Sequence, residues 1–376
     1  MKKKIFFVAT VEVTVNAFLL NHLRYLSKSF DLTVLVSSLD SNFLRKKGLE
    51  ARVVPLRISR SINILSDIRT LFFLIGFFLK NSPSAVQTIT PKAGLLGMVA
   101  AFVSFVPMRV HTFTGQVWVT KNGLVRYFFR FFDWLIGLLA NFCIVDSPSQ
   151  CEFLINEKVI TEKKSIVFGL GSVSGVNLKK FKANKATFKD VRLQLDIPLD
   201  AFVFIYLGRL NKDKGILDLA EAFSRIQNPN VYLLVVGPDE GGFAKKIKLM
   251  NFAKQNNIRL IPFTNTPECF LSASDALSLP SYREGFGSVI IEAAAMGIPA
   301  IGSRIYGLSD AIVNNFTGLL HEPKDVNSIL ACLEFFIDNP VLVKEFGTNA
   351  RARAVKEFDA DCISQHWLDF YKQNIQ

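Results

Sequence analysis

Apolar residues come along this chain in short uninterrupted runs rather than in alternation. The first half carries Ile5–Ala9, Leu32–Ser37, Val86–Ile89, Val110–Phe113 and Phe142–Val145. The second half carries Phe202–Leu207, Val231–Val236, Arg259–Pro262, Ala276–Leu279 and Pro299–Gly302. Unbroken runs of this length read as strands buried on both faces, the mark of a parallel sheet covered by helices. Between them, Ala17–Ser27, Ile216–Ile226, Ser288–Met296 and Val326–Ile337 show helical spacing. Thr90-Pro91 reads as an N-cap and first helical position. The polar, Lys-rich stretch Asn177–Asp200, ending in Ile197-Pro198, reads as a linker. The pattern predicts an α/β protein with two Rossmann-like domains in tandem. Ligands in such sheets sit at the carboxyl ends of the strands, and a two-domain version is expected to hold them in the interdomain cleft.

The length of 376 residues suits two domains. Half the residues are hydrophobic and a fifth are charged, as in a folded protein. Charge divides unevenly: residues 1–185 carry a net +15 and the remainder −3, which together give the +12 of the chain. A basic first half beside a near-neutral second half points to an anionic partner for the first half, either nucleic acid or anionic lipid. The 35 Phe exceed what a core alone uses. The five cysteines are scattered, without a C-x-x-C, and read as small apolar residues in a reducing compartment. The four His are equally dispersed, so no metal site is expected. The opening Met1–Thr10 resembles a secretion signal only briefly and reads better as a first strand. The longest apolar stretch, Ala93–Met108, falls short of the roughly 20 residues a membrane span needs. It is expected to be a buried helix with a turn at Pro107.

Two segments carry chemistry. In Pro280–Ile301 a strand ends at Pro280, a loop with Gly285 and Gly287 follows, and a helix begins. Glycines let the backbone approach a ligand, and a helix N-terminus offers free N–H groups to an anion. Glu284 stands in the loop and Glu292 in the helix, suited to sugar hydroxyls and to a ribose diol. Spacing alone leaves an ordinary strand–loop–helix connection equally open. In Tyr206–Gly215, Arg209 and Lys214 flank a turn at the end of a strand, two cations placed for a diphosphate. On its own, that turn reads as solvated.

With these residues in hand, the chain resembles the retaining glycosyltransferases of family 4, of the GT-B fold and the surface-polysaccharide assembly type. The resemblance covers nearly the whole chain. It rests on Gly208-Arg-Leu and Lys214-Gly, Val235-Val-Gly, Pro280-Ser-x-x-Glu-Gly-Phe-Gly running on to Glu292-Ala and Gly297-Ile-Pro, Thr90–Gly97, and Ser174-Gly-Val-Asn. It implies that Arg209 and Lys214 bind the donor diphosphate and stabilise the leaving group, and that Glu284, with them the catalytic set, contacts the donor sugar. Gly208, Gly285, Phe286, Gly287 and Ser288 would approach sugar and phosphate. Glu292 would hold the ribose, and Phe263 and Thr264 would line the base. The cations stand in for a metal, and no cofactor is implied. Asp359-Ala-Asp361 has the outline of a metal-binding Asp-x-Asp but precedes the last helix, where a capping role fits better. Two departures stand out. The segment Thr10–Asn16 lacks the Gly-Gly loop of many relatives, and Thr114 stands where many carry His before Gly115. His111, Thr114 and Gly115 remain acceptor-side candidates, His111 with a structural role as its equal alternative.

The helical segments Leu124–Leu139 and Arg60–Lys80 mix aromatic residues with cations. Arg126, Arg130 and Asp133 share one face, and Arg45, Lys46, Lys47, Arg52 and Arg57 form a further basic cluster. Basic residues beside apolar helices suit an anionic interface. The expected organisation is therefore an acceptor-binding, membrane-facing domain over residues 1–178, a nucleotide-sugar-binding domain over 179–360, and a helix over 361–376 packing back on the first domain. The expected activity moves a hexose or N-acetylhexosamine from a nucleotide-diphosphate sugar, UDP-linked, to a polyprenyl-diphosphate-linked saccharide. The setting is O-antigen or capsule synthesis, with the protein peripheral on the cytoplasmic face of a bacterial plasma membrane. Alternatives are a GT-B nucleotide-sugar epimerase, a nucleic-acid-binding protein, or an inactive partner subunit. Nucleic acid is not expected as a partner, because it leaves Glu284 and Glu292 without a purpose.

Overall fold

A computed structural model describes residues 2–58, 63–250 and 257–375. Arg60, from the basic segment above, lies outside them. The chain forms two compact units, one made of Met1–Gly175 with Ala360–Gln376 and the other of Val176–Asp359.

The first unit holds a parallel sheet of β1 (Lys4–Val11), β2 (Asp31–Ser37), β3 (Arg52–Pro55), β4 (Ala85–Ile89), β5 (Met108–Phe113), β6 (Phe142–Val145) and β7 (Ser165–Ile166). Their order is β3-β2-β1-β4-β5-β6-β7. Alternate residues of β1 explain its unbroken apolar run. Ile5, Phe7 and Ala9 join one buried cluster, and Phe6 and Val8 join another on the opposite face. On the first face lies the helix Ala360–Asn374. Trp367 is fully buried, and its ring stacks on that of His22 at 4.4 Å. His22 engages Ser364 Oγ (2.9 Å) and the Val173 carbonyl (2.6 Å). Burial holds its pKa down at about 4, so it is neutral at physiological pH. Tyr371 donates to Gln87 Oε1 in β4. On the other face, Leu74 and Phe78 of the helix Ile64–Asn81 pack with Met98 and Ala101 of Pro91–Val103. After β1 the chain turns directly into helix through Glu12–Thr14, a π-helical turn Val15–Leu19, and Leu20–Leu26. This replaces the single helix read over Ala17–Ser27.

The second unit has β8 (Phe202–Leu207), β9 (Val231–Val236), β10 (Ile258–Ile261), β11 (Ala276–Leu279), β12 (Ala300–Ser303) and β13 (Gly318–His321), all parallel, in the order β10-β9-β8-β11-β12-β13. The strand order reverses between β8 and β11, which makes their carboxyl ends the topological switch point of the sheet.

The segment Asn177–Asp200 is no linker. It contains the helix Lys185–Gln194, capped by Asn184, whose side chain accepts from Ala186 and Thr187 N–H groups. Arg192, 1% exposed, anchors this helix. Its guanidinium donates to the carbonyls of Ala273 (3.0 Å), Ala201 (2.7 Å) and Leu199 (3.1 Å) and pairs with Asp275 (2.9 Å). A helix attached through one arginine shows little apolar periodicity, so its polar composition was misleading.

Candidate active site

All six strands of the second unit run parallel, so the loops that follow them emerge along one edge of the sheet. Three close backbone approaches bind these loops together. Gly237 (φ 147°) lies so near the Gly208 carbonyl that a Cβ would collide with it. Gly215 (φ 64°) meets the Pro280 carbonyl in the same way, and Gly307 (φ 82°) meets that of Gly285. Only glycine combines such a φ with so close an approach.

The loop after β8 delivers two cations. Arg209 Nη1 pairs with Glu240 Oε2 at 2.8 Å, and Asn211 Nδ2 donates to the same oxygen at 3.0 Å. The Tyr206 hydroxyl, at the end of β8, donates to the Arg209 carbonyl at 2.7 Å. Lys214 Nζ forms an ion pair with Glu284 Oε1, which also accepts from Ser281 Oγ at 2.8 Å. Both partners of the Lys214–Glu284 pair are mostly buried. Arg209, Gly208, Lys214, Glu284 and Gly285 are therefore gathered around the switch point between β8 and β11.

Gly287 (φ 85°) caps the helix Ser288–Ala295, with Ser288 in its first turn. The Phe286 side chain turns inward, against Phe358 (centroids 5.2 Å apart), and the residue is fully buried. Glu292, one turn further along, faces a different set of charges. Burial pushes its carboxyl up to about 7, Lys180 opposes that rise and Glu268 adds to it. Lys180 and Glu268 are themselves paired at 3.5 Å. After β10, Phe263 is exposed, and Thr264 Oγ1 accepts from the Thr266 N–H at 3.1 Å. Glu240, Asn211, Ser281, Lys180 and Glu268 were not picked out from the sequence. Each lies far from its partner along the chain except Ser281, which is three residues from Glu284.

The acceptor-side candidates belong to the first unit. His111, in β5, is 2% exposed; its Nδ1 shares a hydrogen with Thr88 Oγ1 at 2.7 Å, and its ring meets Phe113 edge-on. Burial lowers its pKa to about 3. A Cβ on Gly94 would strike the ring. His111 is thus a neutral, buried ring packed within the sheet. Thr114 and Gly115, just beyond the strand, are half-buried.

The helix Gly123–Leu139 exposes Leu124, Tyr127, Phe128, Phe131 and Trp134. The helix Ile64–Asn81 exposes Ile64, Leu65, Phe72 and Phe73. On the first of these helices, Arg126 and Arg130 both pair with Glu157, at 2.6 and 3.0 Å. Asp133 is buried, accepts from Trp118 Nε1 at 2.8 Å, and is pushed up to about 7 by burial. No single described helix is long and apolar enough to cross a membrane. Among the described residues, no group of three or more His, Cys, Asp or Glu is placed to hold a metal ion.

Residues 188–353 match the family model for glycosyl transferases group 1. The chain is 32% identical to the capsular polysaccharide biosynthesis glycosyltransferase CapM of Staphylococcus aureus, over 98% of this chain and 97% of that one. It is 30% identical to the UDP-Gal:α-D-GlcNAc-diphosphoundecaprenol α-1,3-galactosyltransferase of Escherichia coli, over 86% and 84% respectively. In fold, it matches Anabaena HepE solved with UDP and glucose, with a TM-score of 0.83 at 18% identity, over 99% of this chain and 100% of that one. Two parallel-sheet units, a loop cluster at the switch point of the second, and end-to-end similarity to CapM lead to one family: this chain is a glycosyltransferase of the group 1 family, with the GT-B type of fold.

Proposed function

We propose that the enzyme transfers a hexose or N-acetylhexosamine, with retention, from a UDP-linked donor to a polyprenyl-diphosphate-linked saccharide in surface-polysaccharide synthesis. The acceptor class follows the Escherichia coli relative and a Campylobacter jejuni relative, 24% identical, named for N-acetylgalactosaminyl transfer to a diphospho-undecaprenol-linked sugar. The observation that carries the donor reading is the Lys214–Glu284 pair beside Arg209 at the switch point.

In the donor-free protein each cation is already neutralised, Arg209 by Glu240 and Lys214 by Glu284. A diphosphate offers each a stronger, charge-assisted partner. Once Lys214 turns to the phosphate, the Glu284 carboxylate is released to accept hydrogen bonds from sugar hydroxyls. As the glycosyl–phosphate bond breaks, negative charge grows on the departing phosphate, and cations already in place stabilise it without reorganisation. The same two cations supply what a metal ion would, so the reaction is proposed to be metal-independent. Gly285 and Gly287 let the backbone approach the donor, Glu292 accepts from the ribose diol, and Phe263 and Thr264 flank the base.

We further assign the exposed aromatic faces of Ile64–Asn81 and Gly123–Leu139 to the inner face of the plasma membrane, where a lipid-linked acceptor resides. Arg52, over the Phe77 ring at 6.0 Å, places a cation beside the first of these helices. The test is nucleotide release from a panel of UDP-sugars, with and without membrane extract. Lys214→Ala and Glu284→Ala should each lower turnover by about 10²–10³-fold, as loss of one preorganised charge-stabilising contact does. Full turnover by either variant would refute the donor site.

A further inference from the structure

The loops after β8 and β11 are joined by a second ion pair. Arg283 Nε lies 2.8 Å from Asp213 Oδ2, next to the Lys214–Glu284 pair. Along the chain, Asp213 and Lys214 face Arg283 and Glu284, so the signs run minus–plus against plus–minus. A slip of one residue would set Asp213 against Glu284 or Lys214 against Arg283, in each case like charges. The backbone supports this register. The Tyr282 N–H donates to the Asp213 carbonyl at 2.8 Å, and the Tyr282 hydroxyl donates to Asp218 at 2.6 Å. Both side chains of the Asp213–Arg283 pair are largely buried, so salt screens them less than it would a surface pair.

We propose that Asp213 and Arg283 are a positioning pair that sets Lys214 and Glu284 against the donor, an inference that rests on the donor-site reading above. The reason is competition. Asp213 adjoins Lys214 and would be an available carboxylate for its ammonium. Arg283 occupies Asp213, so Lys214 is left to Glu284 in the resting protein and to the phosphate when donor binds. Without Arg283, the Asp213 carboxylate competes with Glu284 and the phosphate for the neighbouring ammonium, and its charge opposes the diphosphate.

The logic predicts an unusual reversal between variants. Arg283→Ala should weaken UDP binding, measured by calorimetry, and lower donor kcat/KM by about tenfold, with acceptor KM unchanged. Removing the competing carboxylate as well, in Asp213→Ala/Arg283→Ala, should restore most of the loss. Arg283→Lys, which keeps the charge, should stay close to the parent even if the alanine variant folds poorly. Two results overturn the proposal: a double variant as impaired as Arg283→Ala, which would place Arg283 on the phosphate itself, or an Arg283→Ala enzyme equal to the parent. Lys214→Ala separates the two layers. Full turnover there removes the donor-site reading and this inference together. A crippled Lys214→Ala beside an unaltered Arg283→Ala removes the positioning pair alone.

Discussion

If Glu292 holds the ribose as proposed, donor binding should carry a pH dependence that an ordinary glutamate would not give. Its carboxyl is pushed from 4.5 to about 7, first by burial, with Lys180 opposing and Glu268 adding to the rise. A ribose diol donates two hydrogen bonds and selects the ionised carboxylate, which accepts both. With a pKa of about 7, roughly a tenth of the free protein is ionised at pH 6 and roughly nine-tenths at pH 8. Affinity for a UDP-sugar should therefore rise about tenfold across that interval and level off above it. At the ordinary value of 4.5 the carboxyl would be ionised throughout and the curve flat. The donor-free protein should show the opposite trend. Its folded state holds this proton more tightly than the unfolded chain, so the stability linked to Glu292 is fully present below about pH 4.5 and is lost as pH rises through about 7. The assay is calorimetric titration with UDP-glucose, whose diphosphate does not titrate in this range, on the parent and Glu292→Gln. A flat parent curve, or an equal rise in Glu292→Gln, would refute the reasoning.

Trp367→Ala removes the ring stacked on His22 and should destabilise the protein by about 3–5 kcal/mol, read from the denaturant midpoint. Arg192→Met leaves the carbonyls of Ala273, Ala201 and Leu199 without their guanidinium donor and Asp275 without its cation, and should lower stability by about 3–5 kcal/mol in the same measurement. Phe128→Ser with Phe131→Ser should reduce sedimentation with anionic vesicles by more than tenfold, since each exposed aromatic contributes about 1.5–3 kcal/mol when buried in lipid. Binding by the parent should weaken at high salt, and equal partition into neutral vesicles would remove the electrostatic part of that assignment.

The fold was legible where strands are buried on both faces. Phe142–Val145, Phe202–Leu207, Val231–Val236 and Ala276–Leu279 have the bounds their apolar runs suggested. Strands without such runs were missed. β3 is half-exposed at the sheet edge, β7 has two residues, and β13 has four. The helix Lys185–Gln194 escaped because a buried arginine, rather than an apolar stripe, holds it. In the loops, Arg209, Lys214 and Glu284 stood out as residue types at strand ends. Their partners did not: Glu240 is 31 residues from Arg209, and Arg283 is 70 from Asp213. Pairings over such distances depend on strand order, which local spacing does not encode. The packing of His111 was not legible either, because the ring's contacts with Thr88 and Gly94 come from a neighbouring strand and helix that local spacing does not place beside it.

The second unit is one unbroken stretch, whereas the first closes its sheet face only with Trp367 and Tyr371 from the far end of the chain. During synthesis the ribosome emits β1 long before the residues that cover it. The Val176–Asp359 unit can finish while the earlier one still shows a bare apolar face over Phe7 and Val34. Truncation ahead of Trp367 would therefore strip the cover from β1, more than 350 residues away along the polypeptide.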